Sequence, residues 1–593
     1  MSSGLQIESP FSQGVGYGIV IGIGTAFAVG IKYFAEKHDS EMFMTAKHSV
    51  KTGLTASAVV SSWTIAATNG YGYGVSGPFW YGAGASVQIL LFSIVAIELK
   101  RKVPVAQKFL QCAKHRYGAP AHIVLTCHSL LSQCLSTVAL LVGGAVFNVL
   151  TGVNKDALNF LFQIGVVIYT LFGGIKATFL TDWLHTYKTS NVIGSSKNMW
   201  ELLTTASALH PVEGNAEGSY MTMRSQEGGY IGLIFVGSGF AAAVDSQLFQ
   251  KAIAANPAGT LPGYLLGSIS WFTIPFVLAS TFGLIAAATE HLPSFPTYPN
   301  RMNSYEVTSG LAMPYAALSV MGDGGDFAVL LMVFMAVTSA MSSETVATTA
   351  LLIYNFYHSY TNPKATGKKI PRVSHYIIPL FAIFAASAPT GLNHAGFSVS
   401  FLITVSGILV DSAIVPMACT IMWSKQSKIA VIASPLISSV ASIMAWLLTA
   451  QSTEGDINIT TLSANLALPE NYDFEKFKEI RPIGEYQEGD AEYVPLTAEA
   501  IATAERHDAH NSKLLFRARK RAIWPSIVMT LVYLILRPIP MYATSYVFSK
   551  GFLKGWMVVV FLWAFFAASV ITFLPIWESR LSHCPFCSLH FEI

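Results

Sequence analysis

Three carboxylates sit where carboxylates are expensive: Asp245 in FAAAVDSQLFQKAIAA, Glu344 in MAVTSAMSSETVATT and Asp411 in SGILVDSAIVP. Each lies in an apolar stretch that could cross a bilayer, and an ionisable group at that depth is a functional candidate by default. Asp245 could accept hydrogen bonds from a polar solute, bind a proton or pair with Lys251. Glu344 could relay a proton or reach a partner inside the bundle. The run around Glu344, Met335 to Thr349, also carries several hydroxyls, and such a helix packed on an unwound segment offers oxygen ligands to a hard cation. The unwound segment expected to face it is Val59 to Ala85, VVSSWTIAATNGYGYGVSGPFWYGAGA, which is apolar yet holds Gly70, Gly72, Gly74, Gly77 and Pro78. Non-helical backbone at membrane depth is tolerated only where protein or a water-filled cavity surrounds it. No nucleophile–base pair, phosphate-cradling loop or catalytic pair of carboxylates accompanies these residues, so they point away from an enzyme.

The elements that must position them are membrane helices. The 593 residues are 52% hydrophobic and 12% charged, where soluble domains are about 25% charged. Mean hydropathy is +0.49. Apolar runs of about 20 residues fall near 13–34, 54–72, 77–98, 121–151, 158–180, 229–249, 262–289, 325–356, 374–390, 399–423, 428–450, 522–538 and 552–575. The run near Val15 to Ile31 lacks the basic flank and cleavage site of a signal peptide and reads as the first span. The net charge of +3 is small, and Lys and Arg gather in short loops. That pattern orients a protein in lipid and gives no hint of nucleic acid. Of six cysteines only Cys584 and Cys587 are close, beside His583 and His590; one C-x-x-C on a terminal tail is slender ground for zinc, and no metal is expected.

Loop charge tests this list of spans. Lys100, Arg101, Lys102, Lys108, Lys114 and Arg116 mark the loop after the third span as cytoplasmic, which puts the N-terminus outside. Counting forward, Lys251 and the loop with Lys364, Lys368, Lys369 and Arg372 then fall outside, against the rule. One further crossing between Thr181 and Gly228 restores agreement, although TDWLHTYKTSNVIGSSKNMWELL has no apolar run of adequate length. A second crossing is wanted between the sequon at Asn458 and the basic group Arg517, Arg519, Lys520 and Arg521.

Several long segments resemble the urea active transporters of fungi and plants, a branch of the sodium:solute symporter family. They are SEMFMTA with SVKTGLTASAVVSSWT, YGVSGPFWYGAGASVQILLFSIVAIELKRKVP, GVVIYTLFGGIKATFLTDWLHT, HPVEGNAEGSY and FPTYPNRM, in family order from about Gly14 to Glu578. The resemblance implies an all-α polytopic membrane protein with the LeuT-like inverted-repeat transporter fold, about 13 spans being visible where 15 are expected. It places the two gaps near residues 186 and 468, and a loss of about six residues between Thr68 and Tyr73. The expected organisation is a first span and loop over 1–53, an inverted-repeat core over 54–450, a mostly cytoplasmic polar loop over 451–521, two C-terminal spans over 522–577 and an atypical tail over 578–593.

The same resemblance implies import of urea coupled to protons or sodium. Alternatives are another small polar solute, such as a polyamine, or a non-transporting product of an altered gene. Urea is neutral and planar, so its site needs acceptors for four N–H groups, a donor for the carbonyl and a flat wall. Trp63, Tyr81, Asp245 and Ser412 are the expected substrate contacts. The cation site would take carbonyls of Ala336 and Ala340 and hydroxyls of Ser339, Ser61 and Thr64; the family's second hydroxyl is Ala340 here, which favours the proton. No cofactor beyond the coupling cation is implied. The expected setting is the plasma membrane, with lipid and urea as partners, the N-terminus outside and the C-terminus cytoplasmic.

Overall fold

The computed structural model describes residues 12–23, 66–103, 108–142, 145–164, 166–167, 196–237, 244–303, 306–307, 310–365, 369–395, 399–452 and 498–582. Among them seven helices are long and apolar enough to cross a membrane: Ser76–Lys102, Gly259–Thr289, Val329–Thr361, Lys369–Leu392, Val405–Met422, Leu515–Ala543 and Lys550–Ala567. The first three are at least three-quarters buried by protein, whereas the last two are mostly exposed. An apolar helix with no lipid-facing stripe belongs to the interior of a bundle. Ser76–Lys102 is that centre, packed on Gln226–Gly237, Pro257–Thr273 and Ala498–Leu531.

One end of the bundle is rich in lysine and arginine, and these side chains bind main-chain carbonyls that helix ends leave unpaired. Lys100 Nζ donates to Ile253 and Ala255 at the end of Ser246–Ala254. Lys102 Nζ donates to Ile421, and Arg116 donates to Thr420 at 2.7 Å, Trp423 at 2.9 Å and Ser424 at 2.7 Å, closing the end of Ile414–Met422. Lys114 Nζ reaches Ser359 O at 3.1 Å. A cation at a helix C-terminus is favoured by the helix dipole as well as by the bond. Glu98, 1% exposed, neutralises part of this charge: Arg101 and Arg519 each approach it at 2.9 Å.

The opposite end is tied by a smaller polar cluster. Glu290, 5% exposed, accepts from the Tyr71 hydroxyl, from Arg301 Nε at 3.0 Å and from the Met302 amide at 2.9 Å, while Arg301 Nη2 donates to Tyr71 Oη at 3.1 Å. Gly74, at φ +71°, turns the chain between Ala66–Tyr73 and Ser76–Lys102, and Val75 N–H donates to Tyr220 O at 2.9 Å. The segments HPVEGNAEGSY and FPTYPNRM therefore meet the glycine-rich stretch at this end.

The glycine-rich stretch itself corrects the reading above. Gly70 and Gly72 stay helical, Gly77 and Pro78 fall in the first turn of Ser76–Lys102 where proline loses no bond, and among the described residues of the stretch only Gly74 and Val75 interrupt. Gly70 and Gly283 are there for close approach: a Cβ on Gly70 would lie 2.4 Å from Ala279 O, and one on Gly283 2.5 Å from Ala67 O. Small residues let two helices touch backbone to backbone.

The two ends also bear on the spans. Asp156 bonds His394 at 3.1 Å and Glu201 lies 3.3 Å from Lys550, both at the end opposite the lysines. Lys428 lies near Gly118 at the lysine-rich end, and Arg519 is there too, beside Glu98. The two further crossings expected near residues 186 and 468 fall on 168–195 and 453–497, which lie outside the described residues, as does the Cys584 and Cys587 tail.

Replacing Glu290 tests the smaller cluster. E290A strands the Tyr71 hydroxyl and the Met302 amide and is expected to cost about 2 kcal/mol, below the value for a fully buried pair because the half-exposed Arg301 can rehydrate. E290Q keeps an acceptor and should lose about half as much, read as the shift in thermal midpoint of the detergent-solubilised protein.

Candidate functional site

The apolar run 229–249, expected as one continuous span, is interrupted. Val244 and Asp245 are not helical, and a new helix, Ser246–Ala254, starts with Asp245 as its N-cap, its Oδ1 accepting from Gln247 N–H at 2.7 Å. An interrupted helix inside a bundle presents unpaired N–H groups and the positive end of a helix dipole, which is how membrane transporters of this architecture build solute sites. Gln133 of Ala119–Val142 donates Nε2 to the same Oδ1 at 2.9 Å, and its own Oε1 is buried without a partner. Ser129 Oγ binds Val244 O at 3.0 Å and fixes the turn before the carboxylate. Asp245 itself is half-buried.

Two lysines and a second acid complete the surroundings. Lys251, 4% exposed, donates to Gln247 Oε1 at 2.9 Å and acts electrostatically on Asp245. Glu344, 5% exposed, is within electrostatic reach of Asp245 and Lys251, and its Oε2 is shielded and has no hydrogen-bond partner. Lys108, in the loop after Ser76–Lys102, is 2% exposed and reaches Ala347 O at 3.5 Å, one turn beyond Glu344. Burial pulls its ammonium down to about 7, against the opposing pull of Asp245. One turn after Asp245 lies an aromatic layer: Phe109 stacks on Phe249 at 4.1 Å, and Phe92 meets Phe249 at 4.9 Å.

The hydroxyl helix divides into two sets. Thr338, Ser342 and Thr345 bond their own helix carbonyls. That is the ordinary fate of a hydroxyl in a span. The hydroxyls of Ser339, Ser343, Thr348 and Thr349 are buried and unpartnered. Unsatisfied acceptors in a bundle cost free energy, so four on one helix beside Glu344 mark a polar lining. Ser339 is fully buried, Ala340 is 4% exposed with no hydroxyl to give, and Ala336 is half-buried on the same helix. Ser61, Trp63 and Thr64 lie outside the described residues.

Tyr81 and Ser412 are elsewhere. Tyr81, 2% exposed, stacks on Trp271 at 6.2 Å and 10°. Its neighbour Trp80 packs on Gly232, where a Cβ would sit 2.7 Å from the indole. Ser412 occupies the short turn Asp411–Ala413 and shares a 2.8 Å bond with Ser439, which lies 3.5 Å from His128 Nε2. His128 and Gln133 are five residues apart on one helix, about 140° around its axis, so Ser412 and Asp245 use different faces of it. Sequence reasoning passed over Gln133 and Lys108, and over Tyr71, Glu290 and Arg301. A glutamine in an apolar helix was a legible signal; a lysine in a basic loop was not.

Comparison with known proteins adds the following. No family model matches the chain. It is 41% identical over 627 residues to a probable urea active transporter 1 of Schizosaccharomyces pombe, covering 97% of this chain and 92% of that protein. It is 35% identical over 676 residues to the urea active transporter of Saccharomyces cerevisiae, at 97% and 92% coverage. It is 36% identical over 632 residues to the urea-proton symporter DUR3 of Oryza sativa subsp. japonica, at 97% and 86%. Among solved structures, a Na+-coupled sialic acid symporter in a substrate-bound outward-open state aligns with TM-score 0.55 at 14% identity, over 77% of this chain and 99% of that one. At that identity it shows the fold, which is the LeuT-like transporter architecture.

Lys108 carries a pH signature. Its value near 7 in the fold, against an ordinary 10.5, means that the unfolded chain binds more protons between those limits, so stability rises with pH across that window. K108M is expected to flatten this part of the profile, measured as thermal midpoint from pH 7 to 10 relative to the unmodified protein.

Proposed function

The chain belongs to the urea active transporter branch of the sodium:solute symporter family, and on that premise we propose that it imports urea by alternating access, driven by inward movement of a cation. It is a multi-pass membrane protein. The observation that carries the reading is the interrupted helix at Asp245. Its carboxylate can accept urea N–H groups, Gln133 Oε1 adds a further acceptor, and the positive end of the half-helix dipole suits the carbonyl. Trp63 supplies the flat wall in this proposal. Tyr81 is a further contact in this proposal, its ring held by Trp271, and Ser412 serves a separate polar point shared with Ser439 and His128.

For the cation we favour the proton. A sodium site built from Ala336 and Ala340 carbonyls with Ser339, Ser61 and Thr64 hydroxyls lacks a hydroxyl at Ala340, whereas carboxyl groups are at hand. One positive charge falling through 100 mV releases about 2.3 kcal/mol, nearly two decades of concentration. That suffices for accumulation of a neutral solute. The lysine-rich end is the cytoplasmic one in this reading, which puts the N-terminus outside and the C-terminus inside, in the plasma membrane.

Radiolabelled urea uptake in a urea-transport-deficient cell tests the whole reading. Accumulation above the medium, abolished by a proton uncoupler, is the expected result. Uptake indifferent to uncoupler and to sodium would mean a passive channel, and none at all despite surface expression would remove the transporter reading. D245N keeps the helix cap, since Asn caps as well as Asp. It loses one charge-assisted bond, about 1.5–3 kcal/mol, and should cut uptake at least tenfold.

A further inference from the structure

Glu344 has no part in holding urea, yet it is the most deeply placed acid of the polar lining. Gln133 and Cys134 approach from Ala119–Val142, Asp245 and Lys251 from the half-helix, and Lys108 from the loop beneath. Among the described residues the other packed elements bring no charge to this level. On Lys369–His394 the titratable side chains are Lys369, Arg372, His375, Tyr376 and His394, all within about two turns of an end. Ala145–Thr151 has none. Ala312–Met321 has Tyr315, bonded to Glu306, and Pro257–Thr273 has Tyr264, whose hydroxyl binds Leu248 O at 2.8 Å. His122 bonds Asn355, three turns further along the helix of Glu344.

Four ionisable groups thus share one buried region: two acids and two lysines. Asp245 is provided for, accepting from Gln247 and Gln133 with Lys251 nearby. Glu344 is not, because its Oε2 is buried and accepts nothing. An ionised carboxylate in that position is strongly disfavoured, and a second negative charge at Asp245 disfavours it further. Taking up a proton relieves both.

From this geometry we infer that Glu344 and Asp245 form a two-carboxyl site that shares one exchangeable proton, and that this proton is the coupling ion. The inference rests on the transport reading and assigns its driving ion to named oxygens. The step is a simple transfer: water on the outer side gives a proton to a carboxylate oxygen, one O–H bond forms as another breaks, and the reverse occurs on the inner side. The hydroxyls of Ser343 and Thr348, buried beside Glu344 without partners, can stabilise either protonation state.

The test uses the full chain in proteoliposomes, radiolabelled urea and an inward gradient of one pH unit without sodium. One proton per urea predicts up to tenfold accumulation for the unmodified protein, accompanied by proton entry seen with a pH-sensitive dye. E344Q should accumulate less than twofold. Tenfold accumulation by E344Q would overturn the inference. So would unmodified protein that accumulates urea only with a sodium gradient, or shows no urea-evoked proton entry; that measurement decides even if E344Q fails to fold, and leaves urea transport standing. No urea movement by unmodified protein under either gradient would instead take down the transport reading and this inference together.

Discussion

Inside lipid, a helix that stops must find partners for the carbonyls it leaves open, because no water supplies them. The structure meets this demand with the basic residues of one connection. Lys100, Lys102, Lys114 and Arg116 bind the ends of three helices that are more than a hundred residues away in sequence. The half-helix that begins at Asp245 can be as short as it is only because Lys100 closes its far end. Without that closure the interruption would carry two sets of unpaired groups.

The charges that orient such a chain in the membrane are therefore also its caps. Counting loop charges conceals that second role. Apolar runs made the polytopic bundle legible, whereas the two further crossings that the basic loops called for fall outside the described residues. The break before Asp245 was hidden by GSGFAAAVDS, whose alanines read as helix, although Asp followed by Ser246 and the amphipathic SQLFQKAIA is a recognisable helix start. Lys108 was hidden because a lysine among five other basic residues looks solvated. Its burial depends on Ala347, which no local pattern could supply.

Glycine misled in the opposite direction. Five residues that break helices in isolation suggested an unwound segment, yet four of them remain helical or lie in a first turn, because helix breaking is a local propensity and close packing is a tertiary gain that exceeds it. The partner that makes Gly70 necessary is Gly283, more than two hundred residues on. Between the two ends the bundle holds a graded sequence of environments: a polar clasp at Glu290, hydroxyls and carboxyls around Glu344, then the rings of Phe109 and Phe249.

The contact between Gly70 and Gly283 has one more consequence, which concerns entropy. Where two helices meet through side chains, each separation frees rotamers and each return must freeze them again, at up to about 2 kcal/mol for a long residue. Here main chain meets main chain. Parting costs only dispersion contacts, individually about 0.1–0.2 kcal/mol, and rejoining orders nothing. Such a joint can open and close many times with little thermal penalty in either direction.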